Sequence, residues 1–358
     1  MHVLINGRFL SRSPTGVDRT AQELVRALGK LEVRGMTIHC AVPADAPADA
    51  EIRARLCLTA ESVILRSRLR GYLFEQLALP QMMPEAILLS LCNIGPVVRR
   101  RQIVMLHDAQ AFDAPQSYGA AFRMTYRLLQ PVLARRCGMV LTVSNYSRER
   151  LRQTNITGKR QAEVVPNGAD HFERVVADHS VLTRTGLPAG GYALAFANPA
   201  MHKNIAIVLA AYATHDKDLP PLVLAGSPPT GFALDDGRIR VLGRVTDGEL
   251  KALYQNAKMF LFPSLTEGFG FPALEAMTCG CPVIAADAGA IPEVVGDAAR
   301  LIDPRDWREW ARVIARLHIE DDERGRMIDA GRLRARRFTW HVAATRLAGL
   351  IESYAVNN

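Results

Sequence analysis

Apolar residues in the first part of the chain fall into short unbroken runs at 3–5, 38–42, 86–91, 103–106, 139–143 and 164–165. A strand with one wet face would alternate with a period of two, so uninterrupted runs predict parallel strands covered on both faces. Helical stretches lie between them. One has apolar positions Ala21, Leu24, Val25 and Leu28 and a stop at Gly29; others are expected over 118–136 and 147–152. After Asn167-Gly168 the pattern weakens, and 171–190, with Pro188 and Gly190-Gly191, reads as a linker or boundary. A second alternation follows, with strands expected at 192–196, 222–225, 239–242, 259–262, 283–285 and 299–302, and a buried helix around 205–213. This predicts an α/β fold of two Rossmann-like, doubly wound domains, 1–172 and 173–338, followed by a closing segment 339–358 with apolar residues at helical spacing. Such sheets bind ligands beyond the carboxyl ends of their strands, and two of them can face each other across a cleft.

A length of 358 residues favours two cores over one. Hydrophobic content of 49% and charged content of 22% mark an ordinary globular chain. No apolar run reaches the ~18 residues of a membrane span. The opening MHVLINGRFL offers no small-residue cleavage site, so the expected location is cytoplasmic. The six cysteines form no C-x-x-C pair and are expected to be reduced thiols. Net charge is +8, but residues 1–170 carry 23 Lys and Arg against 14 Asp and Glu, so the excess lies in the first half. Arg66, Arg68, Arg70, Arg99-Arg100-Arg101 and Arg135-Arg136 are expected to favour an anionic surface, with peripheral attachment to the inner face of a membrane as one outcome. Nucleic acid is not expected, since no binding module accompanies the charge.

The densest chemistry is FLFPSLTEGFGFPALEAMTCGCPVIAADAGAIPE, residues 260–292 followed by Glu293. A strand ends at Pro263. The loop Glu267-Gly268-Phe269-Gly270-Phe271 follows, and Pro272 opens a helix whose first turn is expected to hold Glu275. Two glycines permit close approach of a ligand, and helix-start N–H groups suit phosphate or sugar oxygens. Asp235-Asp236 reads as a solvated turn pair, not a metal site.

This string resembles the signature of glycosyltransferase family 4, the large retaining GT-B family. The likeness rests on Glu267 and Glu275 in an E-x7-E spacing, on 280–284 and on Pro292-Glu293. Weaker likenesses are Thr15-Gly16-Val17 with Arg19, His107-Asp108, 144–148, 165–168 and 242–245. The resemblance implies an acceptor-binding first domain, a donor-binding second domain and a last helix crossing back to the first. It implies that Glu267 and His107 orient the sugar, that Lys203 holds the leaving diphosphate, and that Glu275 holds the ribose. It further implies that Gly16, Val245, Gly268, Phe269, Gly270 and Phe271 line the donor site. No resident cofactor or metal is implied: the donor is a nucleotide sugar, GDP-mannose being one candidate. The acceptor would be a glycan or a polyprenyl-diphosphate-linked glycan in cell-surface polysaccharide synthesis.

The sequence departs from that family at one point. Ala197 stands where a phosphate-binding arginine is usual, and His202 stands before Lys203 where some relatives have another. Three alternatives stay open: a GT-B epimerase or phosphorylase, a nicotinamide-dependent oxidoreductase, and a catalytically silent scaffold. The oxidoreductase lacks its G-x-G-x-x-G after the first strand.

Overall fold

The unbroken apolar runs become parallel strands whose side chains are inaccessible on both faces, as Val3, Leu4, Ile5, Leu194, Phe260 and Leu261 illustrate. The structure is a computed structural model that describes residues 1–12, 14–213, 218–228 and 237–357, so Asp235-Asp236 lies outside the described residues. The chain divides into two units: Met1–Pro115, Gly119–Gly168 and Thr339–Asn358 form the first, and Gln116–Tyr118 with Ala169–Phe338 the second.

The first unit holds β1 (His2–Asn6), β2 (Thr37–Val42), β3 (Ile64–Arg66), β4 (Ile87–Ser90), β5 (Gln102–Met105), β6 (Met139–Thr142) and β7 (Glu163–Val164), in the order β3-β2-β1-β4-β5-β6-β7. The second holds β8 (Tyr192–Ala197), β9 (Leu222–Gly226), β10 (Ile239–Gly243), β11 (Ala257–Phe262), β12 (Val283–Ala286) and β13 (Ala299–Ile302), in the order β10-β9-β8-β11-β12-β13. Strand order reverses between β1 and β4 in one sheet and between β8 and β11 in the other. Loops leaving neighbouring strands to opposite sides open a crevice at each reversal. The register pairs Ala195 with Leu261 and Phe262 with Ala285, so the loops after β8, β11 and β12 emerge level with one another.

Three features differ from the sequence reading. β3 has only three residues, too few to show a pattern. The stretch 171–190 contains two helices, His171–Arg174 and Ser180–Thr185, each too short for helical periodicity to register. Of two arginines assigned to the basic surface, one is internal and the other, still exposed, is paired. Arg99 is buried and donates to the carbonyls of Met82, Met83 and Ala86 at 2.7, 2.8 and 2.6 Å. Arg66 donates to Asp49 at 2.8 Å and to the Pro47 carbonyl.

The last helix, Trp340–Asn357, packs against the helix Gly16–Lys30 of the first unit. Its Tyr354 lies so close to Gly138 that any side chain there would collide with the ring. No helix among the described residues is long and apolar enough to cross a membrane.

Candidate active site

In the second unit the site begins where β8 ends. A single helical turn, Met201–Lys203, follows, and Asn204 takes a left-handed conformation with φ of 53°. Its Nδ2 donates to the carbonyls of Pro263 and Pro304 at 3.1 and 2.9 Å, which ties this loop to the exit of β11. The His202 carbonyl accepts from Leu265 N at 2.8 Å and makes the same connection. These ties bring Lys203 and Glu267 together: Nζ donates to Oε1 at 2.7 Å, with the carboxylate almost wholly covered. Glu267 is fixed from its other side by Ala290, whose N–H donates to the Glu267 carbonyl at 3.1 Å. Gly289 (φ 64°) permits this approach, since a Cβ there would stand 2.7 Å from Glu267 N.

Gly270, with φ of 104°, caps the helix Phe271–Thr278. Glu275 is the fifth residue of that helix, in its second turn and not the first, so a favourable helix dipole does not account for it. It is buried, and its Oε1 lies 3.2 Å from His171 Nε2. His171 also tilts against Phe271 at 5.3 Å between ring centroids. The sequence reading missed His171 because it lies in the stretch taken for a linker. The string itself holds no signal for it. Phe269 turns into the core, edge-on to Phe338 at 5.7 Å, so only its backbone can meet a ligand. Val245 is half-buried between β10 and the helix Asp247–Asn256. There Gly243 has φ of 70° and pairs with both Ala225 and Gly226, a bulge that re-aims the loop. Ala197 is buried at the end of β8, so no cation stands at that position. His202 is buried with Nδ1 lacking a hydrogen-bond partner, and burial, reinforced by Lys203, lowers its pKa.

In the first unit Gly16 begins the helix Gly16–Lys30. Asp18 accepts from Thr15 N and Oγ1 at 3.0 and 2.7 Å and from Arg12 Nε at 2.8 Å, which fixes this entry. A Cβ at Gly16 would meet nothing within 4 Å, so neither packing nor backbone angle requires glycine there. His107 follows β5 and is buried. Its N–H donates to Asn93 Oδ1 at 2.7 Å, and its Nε2 lies 2.8 Å from the Leu91 carbonyl. A carbonyl can only accept, so Nε2 carries the proton and Nδ1 is left as an acceptor. Burial lowers the pKa to about 4 and keeps the ring neutral near pH 7. Asn93, at φ of 65° beyond β4, is the partner that sequence reasoning did not find.

Residues 194–334 match the family described as Glycosyl transferases group 1. The O-antigen chain mannosyltransferase B of Escherichia coli is 33% identical over 264 residues, 68% of each chain. The O-antigen chain mannosyltransferase RfbU of Salmonella typhimurium is 25% identical over 226 residues, 61% of each. Among solved structures, Anabaena Alr3699/HepE in complex with UDP and glucose has a TM-score of 0.72 at 21% identity, covering 99% of this chain and 100% of that one. That likeness, at such low identity, establishes the fold: two Rossmann-like domains of the GT-B kind. The extent and identity of the first match, together with the family match over the second unit, place this chain in the glycosyl transferases group 1 family, as a glycosyltransferase.

Proposed function

We propose that the protein transfers a hexose, mannose first among the candidates, from a nucleoside diphosphate sugar to a glycan hydroxyl with retention of anomeric configuration. The observation that carries the reading is the Lys203–Glu267 contact at the β8/β11 reversal, with Glu275 eight residues further on. A cation at a strand end stabilises charge developing on a departing diphosphate, which is what this reaction requires. The C1–O bond to the diphosphate breaks while the acceptor oxygen bonds C1 on the same face. The acceptor proton passes to a leaving phosphate oxygen, so positioning matters more than a strong base.

Lys203 then neutralises the diphosphate, Glu267 accepts from sugar hydroxyls, and Glu275 accepts from the ribose diol. The backbone from Gly268 to Phe271 and Val245 line the nucleotide. In the first unit, the Gly16 backbone is assigned to a diphosphate and His107 Nδ1 to a sugar hydroxyl. Mannose is favoured because the relatives above are named mannosyltransferases, which points to GDP-mannose as donor and to a glycan, lipid-linked or free, as acceptor. The test is a panel of nucleoside diphosphates by calorimetry, followed by transfer from GDP-mannose and UDP-glucose with anomeric analysis of the product. Binding of no nucleoside diphosphate, or an inverted product, overturns the reading.

A further inference from the structure

The loop after β8, residues 198–204, holds two side chains able to carry positive charge, His202 and Lys203. Lys203 shares its charge with the Glu267 carboxylate, and Ala197, where an arginine would supply a second cation, offers none. A diphosphate departing from this strand end therefore meets an ion pair that is already close to neutral. Its charge calls for more than that pair provides.

His202 is built into the same turn. Its backbone N–H donates to Ser117 Oγ at 3.4 Å, and its carbonyl accepts from Leu265 N at 2.8 Å. Its ring stacks on Tyr118, with centroids 6.0 Å apart and planes 17° from parallel. Ser117 and Tyr118 belong to the Gln116–Tyr118 segment of the second unit. The ring is thus fixed by stacking and by its backbone, without use of its nitrogens. The residue is only 5% exposed, and Nδ1 is buried with no hydrogen-bond partner. Nearly all buried polar groups in native proteins are satisfied, so an orphaned ring nitrogen beside Lys203 marks a partner from outside the protein. The titratable groups facing the ring come from three elements: Lys203 on its own turn, Glu267 on the loop after β11, and the Tyr118 phenol. Burial first, and then Lys203, hold the imidazole pKa below its ordinary value, with Glu267 opposing them, so the ring is neutral near pH 7. A bound diphosphate reverses that balance, because it offsets the Lys203 charge and adds negative charge of its own.

We infer that His202 takes up a proton from solvent when the diphosphate binds, and so becomes the second cation of the phosphate site in place of a permanent arginine. The imidazole nitrogen gains one N–H bond, and the proton returns to solvent when the nucleoside diphosphate leaves. A charge that exists only with the ligand avoids burying two like charges side by side in the empty site. The inference rests on the transferase reading and deepens it by making donor binding proton-linked.

The test is calorimetry of the full chain with GDP-mannose and with UDP-glucose, whose diphosphates are fully ionised near neutrality and release no proton of their own. Heats measured near pH 7 in PIPES and in imidazole, buffers of low and high ionisation enthalpy, give the protons taken up. Wild type should take up about half a proton or more per ligand, and its affinity should rise by up to about ten-fold per pH unit as pH falls from about 8 towards 6.5. His202→Gln should bind without proton uptake and with a flatter pH profile. His202→Arg, a permanent cation, should also bind without uptake and should bind more tightly than His202→Gln at pH 8. Circular dichroism melts confirm that each variant is folded, and the wild-type measurement needs no variant. A wild-type heat that does not depend on the buffer, or an uptake that persists in His202→Gln, overturns the inference and leaves the transferase reading standing. If neither sugar nucleotide nor any nucleoside diphosphate binds, both fall.

Discussion

Replacing Lys203 with methionine keeps most of the side-chain volume and removes the charge at the end of β8. The Lys203 side chain is 30% exposed and its ammonium lies 2.7 Å from Glu267, so the cation is partly desolvated. A unit charge pair at 4 Å is worth about 4 kcal/mol at an effective dielectric of 20, an upper bound for one contact. A hydrogen bond to a charged group typically contributes about 1.5–3 kcal/mol, or roughly 10- to 150-fold in affinity. Lys203 already has a partner, so a diphosphate must share or displace Glu267, and the loss should fall in the lower part of that range. Calorimetry should therefore show about a ten- to thirty-fold weaker nucleoside diphosphate, and the parent nucleoside, which lacks phosphate, should bind unchanged. The substitution also leaves the covered Glu267 carboxylate unsatisfied, which costs about 1–3 kcal/mol and lowers the melting temperature. Glu267→Gln in the same background should restore stability without restoring affinity. An unchanged diphosphate affinity, or equal losses for diphosphate and nucleoside, would refute the assignment of Lys203.

Gly16→Ala should leave the melting temperature within a degree or two, because the new methyl meets open space, yet weaken diphosphate binding; an unaffected affinity removes the backbone role. His171→Phe should destabilise by about 1–3 kcal/mol by orphaning the buried Glu275, and should weaken ribonucleotides more than 2′,3′-dideoxy analogues, with His171→Gln partly rescuing both. Equal effects on the two nucleotide classes would leave His171 with a packing role only. His107 has a folded pKa of about 4 and an unfolded value near 6.5, so the unfolded chain takes up a proton that the folded chain refuses. Stability should consequently fall as pH drops from about 6.5 towards 4, and urea melts of His107→Gln should show a shallower fall; parallel curves would contradict the burial of a neutral ring.

The strands were legible because a parallel sheet buried on both faces leaves its mark directly in sequence. The runs at 299–302 and 192–196 coincide with β13 and with all but the last residue of β8. What escaped was short or exposed. β3 pairs with only one neighbour and has three residues, while His171–Arg174 covers a single helical turn, too little for a period to emerge. Arg99 escaped for a different reason. Sequence counts charge but not its destination, and Arg99 reaches back into carbonyls left by the turn at 82–86, which no local pattern announces.

The candidate site divides along the same line. Glu267, the glycines and Glu275 were readable because one loop and one helix carry them, and their spacing is a property of the chain. Their partners come from distant segments: His171 lies 104 residues from Glu275, and Lys203 lies 64 from Glu267. Lys203 could be placed only through the family likeness, and His171 through nothing at all. Such pairings follow from strand order, since the β8/β11 reversal sets the loop after β8 beside the loop after β11 across sixty residues of chain. A buried carboxylate also needs a donor, so the burial of Glu275 required a partner even where the sequence did not name one. The better reading of such a motif therefore asks, for each buried acidic residue, which distant element the topology brings to it. Here that question leads to the segment after Gly168, the one stretch that the apolar pattern had set aside.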